Sequence, residues 1–282
     1  MCTYSMVFLD IDGTLLDSRH RIMPCTLNRL KSLHEVGIPI ILCSARPPAG
    51  VHLISGQMVL TNPMACYNGG LVFDEKGTIL RDVGINMQQA MEFKRFVSER
   101  FPEVVVNAYL YNVWMVEDPQ HPMILREAEI TQSTPLKGSL EMVAASATHV
   151  HKLLCMGEPM QIRALQHEVP KYFPDLMALR SKPEYLEILS PESTKRSGAQ
   201  VLLNHYGVEA KRAVAFGDSD VDVDMLQYCG LGVAMGNSPK SVKDAADFVT
   251  ASNDQEGVYI ALNNLHLKAP NGNKKQKKVR LT

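Results

Sequence analysis

VFLDIDGTLL, residues 7–16, is a short apolar run that delivers two carboxylates and then turns at a glycine. Such a run predicts a buried strand from Val7 to Asp10. Side chains alternate between the faces of a strand, so Asp10 and Asp12 are expected on the same side. Two like charges repel by about 4 kcal/mol at 4 Å in an effective dielectric of 20. The pair therefore predicts a cation, a shared proton or strong donors, unless Asp-Gly forms only a surface turn.

The composition is that of an ordinary globular protein. The 282 residues are 45% hydrophobic and 21% charged, with a formal net charge of -1. This length allows one large domain or two of ordinary size. The charge balance provides no general attraction for nucleic acid, and no apolar run is long enough to span a membrane. We therefore expect neither nucleic acid nor a membrane as a partner.

The cysteines indicate a reducing compartment. All six are scattered, without a C-x-x-C pair or zinc-type spacing, and several lie in apolar runs where a free thiol packs as a small hydrophobe. The first strand is expected within about six residues of the start, which leaves no room for a secretory signal. We expect a cytoplasmic protein, as a monomer or a homodimer.

The predicted elements change in character along the chain. Apolar strands alternate with amphipathic helices in residues 1–84 and 188–270, as is typical of a parallel sheet. Residues 85–187 mix helices and strands without this alternation. We predict an α/β fold, with a doubly wound parallel-sheet (Rossmann-like) core made of both outer segments and an inserted α+β domain of residues 85–187. Residues 271–282 are basic and are expected to form a disordered tail.

Some local predictions bear on the later comparison with the structure. A helix beginning at Pro24 is expected to carry Val36 on its apolar face and to stop at Gly37. The polar stretch after Val116 carries no predicted element. His149 and His151 share a strand face, but no third ligand is near in sequence, so we expect a structural role for both.

Four segments follow predicted strands or begin predicted helices at one edge of the sheet: Asp10-Ile11-Asp12, Ser44-Ala45-Arg46, Lys195, and Gly217-Asp218-Ser219-Asp220-Val221-Asp222. Phosphate binding needs donors and positive charge, which Ser44 and Lys195 supply. Magnesium prefers carboxylate oxygens, with waters completing its shell, and Asp10, Asp218 and Asp222 supply these.

In this order the segments resemble motifs I to IV of the haloacid dehalogenase (HAD) superfamily. The chain is similar to its Cof-type phosphatases with a type IIB cap, and the hairpin Ala65–Val83 and the segment Gly232–Ser238 also match. The likeness covers nearly everything except the tail. It implies a HAD-like catalytic core, a cap that selects the substrate, and Mg²⁺-dependent hydrolysis of small phosphorylated metabolites such as sugar phosphates through an aspartyl-phosphate.

The resemblance also implies a role for each residue of the site. Asp10 would be the nucleophile, and Asp12 would protonate the leaving oxygen and then activate water. Ser44 and Lys195 would hold the phosphoryl oxygens. The implied metal ligands are Asp10, Asp12, Asp218 and Asp222. The implied substrate contacts are Gly13, Thr14, Ala45, Arg46, Asn68 and Asn237, although an asparagine at a turn often serves only the backbone.

Three of the four motifs depart from the family pattern. Ser44-Ala45-Arg46 replaces Thr-Gly-Arg, Arg196 replaces a glycine, and Val221 replaces an asparagine. Valine forms no hydrogen bond through its side chain, and loss of a contact behind a metal ligand costs about 10- to 100-fold in affinity or activity. Two alternatives therefore stay open: a capped phosphomutase, and an impaired protein that binds a phosphorylated metabolite without turnover.

Overall fold

The computed structural model describes residues 3–58, 62–131 and 133–270. The predicted basic tail, 271–282, lies outside the described residues. The strands are β1 Thr3–Tyr4, β2 Met6–Asp10, β3 Ile40–Cys43, β4 Met64–Cys66, β5 Leu71–Phe73, β6 Ile79–Asp82, β7 Ile85–Asn86, β8 Val105–Leu110, β9 Val113–Val116, β10 Leu136–Lys137, β11 His149–Val150, β12 Lys152–Met156, β13 Met177–Lys182, β14 Tyr185–Leu189, β15 Ala213–Gly217, β16 Leu231–Ala234, β17 Phe248–Val249 and β18 His266–Leu267. The helices are α1 Pro24–Glu35, α2 Pro48–Met58, α3 Met87–Arg100, α4 Pro122–Thr131, α5 Leu140–Val143, α6 Pro159–Tyr172, α7 Lys195–Tyr206, α8 Val223–Tyr228, α9 Lys240–Ala245 and α10 Gly257–Asn263.

The chain divides into two compact units. The first unit comprises the described residues of Met1–Cys43, Ser55–Pro63 and Ala199–Thr282, and the second comprises those of Ser44–Ile54 and Met64–Gly198. This grouping follows compactness and does not define a cap, so the domain borders at 84/85 and 187/188 stay predictions. Within the described residues, no helix has the length and apolarity needed to cross a membrane.

The first unit contains a parallel sheet with the strand order β17-β16-β15-β2-β3. Val7, Phe8 and Leu9 of the central strand β2 are fully buried, as the apolar run predicts. The chain moves from β2 to β3 in one direction, and later from β15 through β16 to β17 in the other. The strand order thus reverses between β2 and β15, and ligands of open α/β sheets bind at the carboxyl ends of strands at such a point.

Helix α1 shows how local signals set the element boundaries. Pro24 occupies its first turn, and its inner face buries Thr26, Leu30 and Leu33. The prediction that Val36 lies on this apolar face is wrong: the helix ends at Glu35, and Val36, at the C-cap, is 64% exposed. Gly37 follows with a φ of +82°, a conformation that glycine adopts without steric cost.

The second unit contains a six-stranded sheet with the order β10-β9-β8-β12-β14-β13. Neighbouring strands in this sheet are antiparallel, except that β10 and β9 are parallel. Helices α3 and α6 contribute side chains to its core, including Phe93 and Leu165, which cluster with Leu153 and Ile188 of the sheet. The same unit contains the hairpin β4–β5–β6, which runs from Met64 to Asp82 and differs from the predicted span 65–83 by one residue at each end. The observed mixture of helices and antiparallel strands agrees with the predicted α+β character of the middle of the chain.

Helix α4 was not predicted, because its sequence reads as a polar stretch. Its inward side buries Ile124 together with an acid, Glu127. The Glu127 carboxylate accepts a hydrogen bond of 2.6 Å from the hydroxyl of Tyr185, on β14. Because Glu127 is buried with a hydrogen-bond partner 58 residues away, the inward face of α4 has no continuous apolar pattern in the sequence.

Candidate functional site

Asp10 ends the central strand of the parallel sheet, with only 5% of its surface exposed. The strand stops there, and Ile11 accepts backbone hydrogen bonds from Leu15 and Leu16 in the turn that follows. Asp12 belongs to this turn and is exposed. The expectation that both acids share one strand face is therefore wrong, since the chain has left the strand before Asp12. The two carboxylates instead have different environments, one buried and one in contact with solvent.

Gly13 and Thr14 join this turn to Asp218, which follows β15. The Thr14 hydroxyl donates to Asp218 Oδ1 at 2.9 Å. Gly13 has a φ of +82°, and a Cβ placed on it would lie 2.4 Å from Asp218 Oδ2. Both the backbone conformation and the space thus require glycine at this position. Two residues predicted to contact substrate therefore contact a predicted metal ligand in the structure.

Asp222 is fully buried and organises the turn that carries Asp218. Its Oδ2 accepts the backbone N–H groups of Asp218 and Ser219, at 3.1 and 3.0 Å, and the Ser219 hydroxyl at 2.9 Å. Ser219 and Asp222 thereby form a capping box around the 3-10 turn Asp220–Asp222. Oδ2 of Asp222 therefore holds the turn that carries Asp218. The sequence did not predict this positioning role.

Three carboxylates converge at this edge of the sheet. Asp10, Asp218 and Asp222 each offer one oxygen within 4.8 Å of the others. Asp10 and Asp222 are buried and Asp218 is partly buried, so their mutual repulsion is weakly screened. A donor set of oxygens alone fits a hard divalent cation such as Mg²⁺, and it does not fit the softer metals that prefer nitrogen and sulfur.

Asn237 contacts the protein through both ends of its amide group. Its Nδ2 donates to the carbonyl oxygen of Gly13 at 2.9 Å, and its Oδ1 accepts the backbone N–H of Asn253 at 3.1 Å. These bonds connect the Gly13 turn to the backbone of Asn253. The structure thus gives Asn237 a role in the turn, which is one of the two interpretations that the sequence allowed.

In the second unit, Ser44 and Asn68 are hydrogen-bonded neighbours. Ser44 donates its backbone N–H to the Ala65 carbonyl at 2.9 Å and accepts the backbone N–H of Asn68 at 2.9 Å. The Ser44 hydroxyl also accepts the backbone N–H of Arg46 at 3.2 Å. Asn68 is 3% exposed, and its Oδ1 is a buried atom for which the described residues supply no hydrogen-bond partner. Such an orphaned acceptor is suited to a donor on a ligand.

Lys195 is the first residue of α7 and is 2% exposed, although lysine is rarely buried. The hairpin that carries Asn68 packs closely against this helix start. A Cβ on Gly69 would lie 2.3 Å from the Thr194 carbonyl oxygen, and one on Gly198 would lie 2.9 Å from Ala65 Cβ. The two glycines therefore let the hairpin and the start of α7 approach, which brings together the segments of Ser44, Asn68 and Lys195.

The two larger departures from the family pattern leave the backbone in place. Arg196 is exposed, and α7 begins at Lys195 beside it without distortion. Val221 is partly buried inside the 3-10 turn that the Ser219–Asp222 capping box holds. An asparagine at position 221 is therefore not needed to form this turn.

Sequence reasoning missed two groups of polar side chains in the second unit. Lys152 is 6% exposed, and its Nζ lies 3.3 Å from Glu187 Oε2 and 3.4 Å from the carbonyl oxygen of Ala45, a predicted substrate contact. The other group joins His149 and His151 to Asp82, a third side chain that is not near them in sequence. Asp82 precedes His149 by 67 residues, so no local signal could have found it.

Comparison with known proteins identifies the family of this chain. Residues 7–262 match the family model of the haloacid dehalogenase-like hydrolases. A protein of Haemophilus influenzae, to which a phosphatase activity has been ascribed, is 33% identical over 259 residues, covering 92% of this chain and 97% of that one.

Solved structures give the same result for the fold. A haloacid dehalogenase-like hydrolase from Bacteroides thetaiotaomicron superposes with a TM-score of 0.83 at 25% identity, covering 93% of this chain and 99% of that one. The HAD subclass IIB sugar phosphatase BT4131 superposes with a TM-score of 0.79 at 23% identity, covering 92% and 98%. The α/β architecture is therefore the HAD fold. The chain belongs to the haloacid dehalogenase-like hydrolases, and it is an enzyme of the phosphatase class.

Proposed function

We propose that this enzyme is a Mg²⁺-dependent phosphatase that hydrolyses small phosphorylated metabolites, with sugar phosphates as the first class to test. The convergence of Asp10, Asp218 and Asp222 at the point where the strand order reverses carries the proposal. The substrate class is taken from the sugar phosphatase BT4131, whose fold this chain shares over 92% of its length.

Asp10 is the proposed nucleophile. Its carboxylate oxygen attacks phosphorus, an aspartyl-phosphate forms, and the bond between phosphorus and the leaving oxygen breaks. Asp12 gives the leaving oxygen a proton and then takes one from the attacking water. Water releases inorganic phosphate and restores the Asp10 carboxylate. The exposure of Asp12 suits this exchange of protons, and the burial of Asp10 suits a group that must attack without a shell of water.

The other residues of the site bind and orient. Asp10, Asp218 and Asp222, with the Asp12 carbonyl oxygen, would hold the cation. When bound, Mg²⁺ supplies positive charge that lets a carboxylate approach a phosphate dianion. Asp222 also keeps the Asp218 turn in place, through the three bonds to its Oδ2.

Phosphoryl oxygens would be bound by Ser44 and Lys195, whose segments the hairpin joins. A lysine that is 2% exposed supplies positive charge without competition from bulk water, which strengthens its interaction with an anion. The orphaned Oδ1 of Asn68 would accept a substrate hydroxyl. Ala45 and Arg46 complete the proposed loop, and residues 85–187 are proposed as the cap that selects the leaving group.

The cellular setting is part of the proposal. The described cysteines, Cys25, Cys43, Cys66, Cys155 and Cys229, are not in disulfides, which fits a reducing cytoplasm. We propose that the enzyme acts there on soluble metabolites, as a monomer or a homodimer, without nucleic acid or a membrane.

The test is an assay of phosphate release by the purified full chain. p-Nitrophenyl phosphate and a library of phosphorylated sugars are supplied with Mg²⁺ or with EDTA. We expect release that requires Mg²⁺ and a phosphorylated Asp10 peptide in rapidly quenched samples. Isomer exchange with a hexose bisphosphate, without net release, would instead identify a mutase. Saturable binding of sugar phosphates without release, at high enzyme concentration, would identify a binding protein.

A further inference from the structure

A second cluster of titratable side chains lies within the second unit. Asp82 Oδ1 is 2.8 Å from His149 Nε2 and 3.0 Å from His151 Nε2. The three groups offer ligand atoms within 4.8 Å of one another, and one acid with two imidazoles is a common set of zinc ligands. Geometry alone therefore suggests a metal centre. The positions of the protons decide whether a metal can bind.

The backbone of Tyr111 fixes the tautomer of His151. Its N–H donates to His151 Nδ1 at 3.1 Å, so this nitrogen must present a lone pair. A neutral imidazole then carries its hydrogen on Nε2, which donates to Asp82 Oδ1. A metal ion at Nε2 would move the hydrogen to Nδ1, where it would face the N–H of Tyr111. His151 therefore cannot ligate a metal ion through Nε2. The two remaining ligands, Asp82 and His149, are too few for a structural zinc site.

The Asp82 carboxylate is satisfied by donors from the protein. Besides the two imidazoles on Oδ1, the hydroxyl of Tyr111 donates to Oδ2 at 2.6 Å. Burial would raise the pKa of Asp82, but the hydrogen bonds from Tyr111 and His149 bring it below its ordinary value. Burial lowers the pKa of His151 to about 4, against the opposing effect of Asp82. Near neutral pH the cluster is thus an anion with donors around it, and we call these four side chains the Asp82 hub.

Tyr111 connects the Asp82 hub to Tyr67. The Tyr67 hydroxyl donates to the backbone carbonyl of Tyr111 at 2.6 Å, and the Tyr67 ring stacks on His151 with 5.0 Å between centroids. Tyr67 and Asn68 have φ values of +51° and +53°, a region that residues other than glycine rarely occupy. Residues in such a conformation persist when their surroundings hold them. The hydroxyl and the ring of Tyr67 provide that hold.

The turn of Tyr67 and Asn68 in turn holds the loop Ser44–Arg46. The backbone N–H of Tyr67 donates to the Arg46 carbonyl at 3.2 Å, and that of Asn68 donates to the Ser44 carbonyl at 2.9 Å. A continuous set of contacts thus runs from Asp82 to both ends of this loop.

We propose that the Asp82 hub is a metal-free device that positions the Tyr67–Asn68 turn and, through it, the Ser44–Arg46 loop. Asp82, His151 and Tyr111 are positioning residues in this scheme and do not touch the substrate. The last step, from loop position to phosphate binding, rests on the proposed function. The tautomer of His151 and the position of the Ser44–Arg46 loop are independent of the proposed function.

The first test measures structure by NMR in the full chain. We expect His151 with a protonated Nε2 and an unprotonated Nδ1, unchanged by added Zn²⁺. We expect Asp82→Asn and Tyr67→Phe to shift the amide signals of residues 44–46 and 67–69. Tyr172→Phe is the matched control, because it removes a hydroxyl that accepts a hydrogen bond from the exposed Arg100, outside the hub. A proton on Nδ1, micromolar Zn²⁺ binding that Asp82→Asn abolishes, or unmoved amide signals would overturn the proposal.

The second test measures kinetics with p-nitrophenyl phosphate and inhibition by inorganic phosphate. Tyr67→Phe and Asp82→Asn are each expected to lower kcat/KM about 10-fold and to weaken phosphate inhibition, whereas Tyr172→Phe changes neither. The double variant should lose little more than the worse single one, since both act through one set of contacts. Tyr67→Phe removes only one hydroxyl, so its kinetics still test the hub proposal if Asp82→Asn fails to fold.

The two failures are distinguishable. A wild-type chain that releases no phosphate contradicts the proposed function, while the NMR result still decides the Asp82 hub. An active wild type whose variants match it in kcat/KM and phosphate inhibition contradicts the hub proposal alone.

Discussion

Two clusters in this enzyme satisfy the same geometric condition for holding a metal ion and have opposite chemistry. One carboxylate oxygen from each of Asp10, Asp218 and Asp222 lies within 4.8 Å of the other two, and the ligand atoms of Asp82, His149 and His151 are equally close. The first cluster consists of three carboxylates, whose like charges repel one another and favour a cation. In the second, the histidines bring hydrogens that point at the acid. A cluster that supplies its own donors has no need of a cation.

The protons, more than the distances, thus separate a metal site from a hydrogen-bond hub. The backbone N–H of Tyr111 donates to His151 Nδ1, which leaves the hydrogen of this imidazole on Nε2, facing Asp82. In the first cluster, Asp222 Oδ2 accepts two backbone N–H groups and a hydroxyl, and Asp218 Oδ1 accepts the Thr14 hydroxyl, all of them uncharged donors.

The largest expected effect separates the nucleophile from the hub. Asp10→Asn removes the attacking carboxylate, and we expect phosphate release to fall by about 10⁴-fold or more, in line with the loss of a nucleophile in other hydrolases. Circular dichroism and the melting temperature should show an intact fold. Turnover within 10-fold of wild type would remove Asp10 from the role of nucleophile.

The next comparison exchanges one carboxylate in each cluster. Asp218→Asn should weaken Mg²⁺ binding about 10- to 100-fold, because an amide oxygen lacks the charge of a carboxylate. Asp82→Asn, the same change in the hub, should leave Mg²⁺ affinity within twofold. Calorimetric titration of both variants measures the difference directly. Equal losses of Mg²⁺ affinity in the two variants would contradict the assignment of the metal site to the first cluster alone.

A smaller effect is expected at Gly13. An alanine there would force a Cβ to within 2.4 Å of Asp218 Oδ2, so we expect about 10-fold lower activity and weaker Mg²⁺ binding. Gly77→Ala is the matched control, because Gly77 has a φ of +81° with nothing within 4 Å of its Cβ position. Both variants carry the cost of a left-handed alanine, about 1–2 kcal/mol. Only Gly13→Ala should change the metal affinity, and a similar change in Gly77→Ala would show that backbone strain alone is responsible.

The sequence allowed the first cluster to be predicted and concealed the second. Asp10 and Asp218 each follow an apolar run, so the rule for the carboxyl ends of parallel strands brought them together. Asp82 ends the short strand β6, whose residues are partly buried or exposed, and nothing local marks it as a partner of His149. The exposure of Asp12 was also unpredictable, because it depends on the strand stopping at Asp10. Patterns of hydrophobicity predict which face a residue takes, but they do not predict which distant side chains share a proton.

The smallest expected effect tests the protonation of the hub through the pH dependence of stability. The folded pKa of His151, about 4, lies below its ordinary value of 6.5. As the pH falls below 6.5, the unfolded chain binds the proton first, so this residue's contribution to stability is lost between pH 6.5 and about 4. The groups that face His151 are Asp82, His149, Tyr67 and Tyr111.

His151→Gln removes this titration while leaving a side chain that can hydrogen-bond. From pH 7 to pH 5, wild type should lose about 2 kcal/mol more stability than the variant, given about 1.4 kcal/mol per pKa unit. Urea unfolding at several pH values measures the difference, and His167→Gln serves as the control for an imidazole outside the hub. A wild type that gains stability relative to His151→Gln on acidification would mean that the folded hub binds the extra proton. In that case His151 would be an imidazolium, and the argument that its Nδ1 carries a lone pair would fail with it.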